Sequence, residues 1–199
     1  MKKLQVLFFA LAAILFIGTA QTATAQARTA GQGSRTFTIT NGKLGPIQIG
    51  KSMRSIPSSF AGLYDRYKKE TFDFSDGDIG DEDAPTVKVT EYSFFKNGKN
   101  IFNVTTDEKL VANKIELKSG SSFIKTPEGF YVGYSARELF KKHPRNWDNA
   151  YEGEAWVDSG KFRYCVNGRF LTTEYPTAIS HFRQNAKITT IYYFMNLGE

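Results

Sequence analysis

The sequence is poor in the residues that build covalent or metal-bound frameworks. It has one cysteine and two histidines in 199 residues. A single cysteine cannot form a disulfide within the chain, and these three side chains are too few for an ordinary structural zinc site. The catalytic signatures Gly-x-Ser-x-Gly and His-Glu-x-x-His and the phosphate loop are also absent. We therefore expect a non-enzymatic protein without a cofactor, whose fold depends on core burial alone.

Long apolar runs are missing as well, except at the start of the chain. Two lysines precede an apolar run over residues 6–17, and small residues follow up to Ala27. A membrane span needs about 20 apolar residues, so this run is too short, and the pattern is typical of a secretory signal. Residues 18–27 contain no cysteine of the kind that a bacterial lipoprotein signal carries. We expect residues 1–27 to be a signal peptide and the protein to be exported, as a periplasmic or secreted protein.

Positive charge is present but not concentrated. The chain has 26 lysines and arginines against 20 acidic residues, a net charge of +6. Nucleic-acid binding requires a dense basic surface that neutralises several phosphates, and the basic residues here form only small groups. No nucleic-acid partner is expected.

One stretch, residues 71–85, is strongly acidic. Its carboxylates and glycines are the residue types that Ca²⁺ sites use, although their spacing does not match an EF-hand loop. Two interpretations stay open, a calcium site and a solvated insertion loop. The candidate calcium ligands are Asp76, Asp78, Asp81 and Asp83.

Short matches recur in the same order in the two halves of the chain, which indicates an internal repeat. They divide the chain into a polar lead-in over residues 28–41, a first copy over 42–118 and a second copy over 119–199. The acidic stretch 71–85 then reads as an insertion in the first copy. The matched residues are Gly50, Ser52 and Arg54 with Gly133, Ser135 and Arg137, Asn97-Gly98 with Asn167-Gly168, and Lys114-Ile115 with Lys187-Ile188.

Each copy predicts a strand, a helix and an antiparallel meander, hence an α+β fold with two tandem units and the helices on one face of the sheet. Ser135 and Glu138 form a capping box for the second helix, and Asn-Gly pairs favour tight hairpin turns. The first helix is predicted from the spacing of its apolar residues, Phe60, Leu63, Tyr64 and Tyr67. The predicted turn and cap residues are Gly50, Ser52, Gly98, Gly133, Ser135, Glu138 and Gly168.

The Gly133-to-Glu138 turn into a capped helix, followed by a meander, resembles the small domains of the β-lactamase inhibitor protein. It is similar also to the small lipoprotein subunit of the outer-membrane barrel assembly machine. The chain departs from both, since it lacks the inhibitor's disulfide cysteines and the lipoprotein cysteine. The resemblance implies a binding or assembly role on an exported scaffold.

Aromatic residues, 15% of the chain, are the main functional signal. Bulky side chains on both faces of the predicted strands would pack between the two copies or bind a partner. Trp147, Tyr151 and Trp156 lie in or beside a polar segment, 146–153, predicted to be a loop, and are the candidate partner-binding residues.

We expect a binding module that engages a protein partner; the alternatives are an envelope glycan-binding factor and a hydrolase of unrecognised type. Cys165 with His143 or His181 could form a Cys/His nucleophile pair, but a mid-strand cysteine is usually a buried apolar residue.

Overall fold

The computed structural model describes residues 35–75, 86–150, 154–167 and 176–196. The described residues from Thr36 onward belong to one compact unit. In chain order the strands are β1 (Phe37–Thr38), β2 (Lys43–Leu44), β3 (Ile47–Gln48), β4 (Arg66–Ser75), β5 (Thr86–Lys96), β6 (Lys99–Thr106), β7 (Ala112–Leu117), β8 (Ile124–Lys125), β9 (Trp147–Ala150), β10 (Glu154–Ser159), β11 (Phe162–Asn167) and β12 (Thr190–Phe194).

Eight of these strands form one antiparallel sheet in the order β4-β5-β6-β7-β12-β11-β10-β9. Two meanders, β4–β7 and β9–β12, therefore join where β7 pairs with β12. The turn between β5 and β6 is Asn97-Gly98, and both residues have positive φ angles, 50° and 77°. These angles are those of a type I′ hairpin turn, as the Asn-Gly pair predicted.

The smaller elements lie outside this sheet. Strands β1 and β8 pair in parallel, and β2 and β3 form a hairpin. The α-helix of the described residues, α1 (Ala136–Lys142), begins after Ser135, whose side chain accepts a hydrogen bond from the Glu138 backbone N–H at 3.4 Å. The helix ends two residues before Pro144, which cannot continue it. The Ser135 cap at the start of this helix is confirmed, whereas the Glu138 carboxylate, predicted to complete the capping box, accepts from the Lys141 ammonium at 2.6 Å.

One face of the sheet carries the hydrophobic core, and we call it the core face. Strand residues on this face meet side by side, for example Phe94 opposite Phe102 and Leu117 opposite Ile191. The segment before β4 and the helix region supply the other layer of the same core cluster, with residues that include Ile39, Leu44, Ile47, Leu63, Tyr64, Leu139 and Phe140.

The predicted α+β class is wrong. The described chain is mainly β, with one large antiparallel sheet and a single α-helix, and does not repeat a strand-helix unit. The predicted first helix over Phe60–Tyr67 does not form. Phe60 instead bridges Tyr64, Gly62 has a positive φ of 81°, and Tyr67 already lies in β4. A glycine in that conformation interrupts a helix, and the spacing of the aromatic residues alone does not reveal it. Ser52 therefore caps no helix.

The two turns at Gly50 and Gly133 nevertheless make the same backbone contacts. The Gly50 N–H donates to the Ala112 carbonyl at 2.8 Å, and the Gly133 N–H donates to the Ile188 carbonyl at 2.8 Å. Both glycines have positive φ angles, 80° and 98°. Each turn thus ties the segment that follows it to a strand or strand end of its own half of the chain.

The acidic stretch 71–85 was predicted to be an insertion loop. Its first part, up to Ser75, continues β4, and β5 begins at Thr86. These two strands stay paired as far as Ser75 and Thr86, beyond the last residue of β5 that pairs with β6, which is Thr90. The four candidate calcium ligands lie outside the described residues.

Candidate functional site

The face of the sheet opposite the core, the second face, carries a group of aromatic and charged side chains, most of them half-buried. Backbone pairing places Asp158 opposite Arg163 and Arg163 opposite Tyr192, and then Tyr192 opposite Glu116. Directly paired residues lie on the same face, so these four side chains form one row across β10, β11, β12 and β7. We use the name Arg163 cluster for this row and its neighbours on the same face, Lys114, Trp156 and Phe194.

Arg163 is the centre of the cluster. Its guanidinium donates from Nε to Asp158 Oδ1 at 2.8 Å and from Nη2 to Asp158 Oδ2 at 3.0 Å. It also lies 5.0 Å from the centre of the Trp156 ring and 5.8 Å from that of Phe194. The hydrogen bonds with Asp158 raise the pKa of Arg163 further above its ordinary value. The carboxylate and the two rings hold this planar cation in one orientation on the second face.

The other half of the cluster is built on Tyr192. Its ring lies 5.7 Å from that of Phe194, and the Lys114 ammonium lies 5.6 Å from the Tyr192 ring. Burial, followed by the negative charge of Glu116, raises the pKa of Tyr192 far above its ordinary value. Glu116 also pairs with Lys118. Tyr192 is therefore a neutral hydrogen-bonding ring at physiological pH.

Cys165 lies on the same face of β11 but is only 2% exposed. Burial, and then the charge of Glu154, raise the pKa of its thiol far above the usual range. Both histidines are engaged elsewhere: His143 Nε2 lies 3.0 Å from Glu128 Oε2, and His181 Nδ1 accepts from the Thr177 N–H at 3.3 Å. The contacts of these three residues do not join the thiol to either imidazole, so the geometry does not favour a Cys/His nucleophile.

We expect the Cys165 thiol to be unreactive in the folded protein. Only the thiolate is a nucleophile, and burial disfavours it, so Ellman's reagent should react at least about a hundredfold more slowly with the native chain than with the chain unfolded in urea. Absorbance of the released thionitrobenzoate measures both rates. Rapid reaction of the native thiol would restore Cys165 as a candidate nucleophile.

The structure separates the three predicted partner-binding residues. Residues 147–150 form β9, not a loop, and Trp147 is 7% exposed. Its indole N–H donates to the His143 carbonyl at 2.6 Å, and its ring packs on Phe140 and Phe182. Tyr151 lies outside the described residues. Trp156 is half-buried on the second face, within the Arg163 cluster.

A second polar group surrounds Glu128. Its carboxylate accepts from the Ser159 hydroxyl at 2.8 Å and lies 3.0 Å from His143 and 3.5 Å from the Lys142 ammonium. Burial alone would raise the pKa of Glu128, but the Ser159 bond and the charges of His143 and Lys142 together hold it below the ordinary value. The carboxylate bridges the hydroxyl and the imidazole, so Ser159 is not activated by His143. This group fastens the end of α1 to the β10–β11 hairpin.

Neither a metal centre nor a membrane helix is found in the described part of the chain. Within residues 35–75, 86–150, 154–167 and 176–196, no group of three or more His, Cys, Asp or Glu side chains is placed to hold a metal ion. No helix in the same ranges is long and apolar enough to cross a membrane.

Sequence reasoning missed most of the Arg163 cluster. Arg163 and Tyr192 each stand between residues of the core face, in Phe162-Arg163-Tyr164 and Ile191-Tyr192-Tyr193. This alternation does indicate that they point to the other face. The pairing of β11 with β12, and of β12 with β7, joins residues up to about eighty positions apart and cannot be read from a local pattern.

Comparison with known proteins gives the fold alone. No family model matches the chain, and no curated protein matches it. Among solved structures, the chain is similar to the uncharacterized protein YfeY from Escherichia coli, with a TM-score of 0.51 and 15% sequence identity over 80% of this chain and 99% of that chain. At this identity the likeness extends to the arrangement of the backbone and not to the Arg163 cluster.

Proposed function

We propose that this protein is a non-enzymatic binding module that acts outside the cytoplasm and engages a protein partner through the Arg163 cluster. The observation that carries the proposal is the Arg163 side chain, fixed by Asp158 and stacked between Trp156 and Phe194 on the face opposite the core. Tryptophan, tyrosine and arginine are the residues that most often dominate the binding energy of protein interfaces.

The chemistry of the cluster supports binding over catalysis. Asp158 is committed to Arg163, and the pKa values of Tyr192 and Cys165 lie far above neutrality. General acid–base catalysis works best with a group whose pKa is near the working pH, and neither Tyr192 nor Cys165 has such a pKa. Pre-ordered side chains lose little conformational freedom on association, which favours affinity.

Site-specific photo-crosslinking in the source cell tests this function. A photoreactive phenylalanine at position 194 should give an adduct of one defined mass in the exported fraction, because Phe194 borders Arg163 and Tyr192 on the half-buried second face. The Arg163→Ala variant should lose that adduct, since the stacked guanidinium is removed. The matched control carries the same probe at Lys109, an exposed residue between β6 and β7.

Equal labelling from Lys109, or an adduct that survives Arg163→Ala, would overturn the proposal. The glycan alternative has its own readout, because Trp147→Phe leaves Trp156 as the only tryptophan. A saturable change in Trp156 fluorescence on addition of soluble envelope oligosaccharides, with no protein adduct, would assign the cluster to glycans instead.

A further inference from the structure

Strand β4 forms one edge of the large sheet. Within the described residues it pairs only with β5, over its whole length from Arg66 to Ser75. Its outer backbone groups can bond to water or to another strand. The strand also exposes apolar side chains, since Phe72 and Phe74 are 46% and 47% accessible. A long edge strand with exposed aromatic rings is a surface on which another strand can pair.

The side chains of β4 are complementary to β4 of a second copy in one register. A two-fold axis perpendicular to the sheet makes two β4 strands antiparallel and keeps the same face of each on the same side. Each residue then lies opposite a residue from the same face of the other copy. The axis therefore passes through a residue position and not between two residues. With the axis at Thr71, Lys69 of each copy lies opposite Asp73 of the other.

The neighbouring registers are poorer. An axis at Glu70 would place the two Glu70 carboxylates opposite each other, and like charges in that position are destabilising. An axis at Phe72 would shorten the paired length and place Lys69 opposite Ser75. Only the Thr71 register combines a ladder over residues 67–75 with two charge pairs.

We propose that a second copy of this chain pairs with the β4 edge in this register, with Thr71 on the two-fold axis, to give a continuous sheet across the dimer. Lys69 and Asp73 are exposed, and no ion pair within the described residues involves either of them. On the other face the same register sets Lys68 of one copy beside Phe74 of the other, which favours a cation–π contact. This surface is separate from the Arg163 cluster and does not depend on the proposed function.

Charge reversal tests the proposal. Lys69→Asp, or Asp73→Lys, turns two attractive pairs into two repulsive ones, and sedimentation equilibrium should show dimerisation weakened by about tenfold or more. The double variant Lys69→Asp/Asp73→Lys restores both pairs and should return the dimer to near its original affinity. Lys109→Asp is the matched control and should have no effect. A chain that stays monomeric at every soluble concentration, or a dimer that both single reversals leave unchanged, would overturn the proposal.

Cysteine crosslinking tests the register separately. Thr71→Cys places two thiols across the axis, and mild oxidation should join the two chains much faster than it does for Ser58→Cys, an exposed position outside the strand. The unmodified chain is a further control, because its one cysteine is buried. Failure of Thr71→Cys to crosslink while the chain is dimeric would exclude this register.

Discussion

Replacing Trp147 with alanine is expected to lower the free energy of unfolding by about 3–5 kcal/mol, as large-to-small changes of buried aromatic residues do. Trp147 is 7% exposed and packs on Phe182 and Phe140 at ring-centre distances of 5.0 and 5.9 Å. The variant also leaves the His143 carbonyl without its indole donor. For a chain of this size the loss corresponds to a fall of about 6–20 °C in Tm, measurable by circular dichroism.

Trp156→Ala is the matched control for that experiment. Trp156 is half-buried on the second face, and its identified ring contact is with Arg163, so its removal should cost about 1 kcal/mol or less. Under the proposed function the two variants rank the other way for partner binding. Trp156→Ala should weaken binding more than Trp147→Ala, because Trp156 belongs to the interface and Trp147 does not. Equal loss of stability in the two variants would show that Trp156 is also a core residue.

The different fates of these two tryptophans show what the sequence could and could not predict. Local signals were sufficient to predict α1, which Ser135 caps through the Glu138 N–H, and the Asn97-Gly98 turn. By contrast, the polar residues around Trp147 indicated a loop, whereas pairing of β9 with β10 makes this segment an edge strand. Pairing with a neighbouring strand makes this segment a strand, and the local sequence does not show which strand will pair with it.

The fold class was mistaken for a related reason. The apolar residues with helical spacing belong to different elements, since Leu63 and Tyr64 lie in the core before β4 and Tyr67 lies at the beginning of that strand. The spacing of apolar residues alone cannot distinguish a short helix from a turn followed by a strand when the segment contains a glycine. The candidate site was only partly predictable for the same reason. Trp156 was identified from its residue type, but Arg163 was missed because only the pairing of β10 with β11 brings Arg163 close to Trp156.

Phe94→Ala is the second change with a large expected effect. Phe94 has no accessible surface; its ring stacks on Phe102 at 4.4 Å and meets Tyr64 edge-on at 4.8 Å. Tyr67 of β4 lies 5.6 Å from the same ring. Phe94 thus joins β4, β6 and the segment before β4 in one aromatic group. We expect a loss of about 3–5 kcal/mol of unfolding free energy in urea titration, and a smaller loss for Phe94→Leu, which fills much of the space.

The adjacent residue provides the control. Phe95 points to the second face, where the Arg66 guanidinium covers its ring at 4.4 Å, so Phe95→Ala should cost only about 1 kcal/mol. The contrast between two neighbouring phenylalanines tests the assignment of the two faces directly. If Phe95→Ala proved as destabilising as Phe94→Ala, the second face of β5 would also be packed, and the assignment of Phe95 to an open surface would be wrong. If Phe94→Ala is strongly destabilising and Phe95→Ala is not, the Phe95 ring lies outside the core, as its contact with Arg66 indicates.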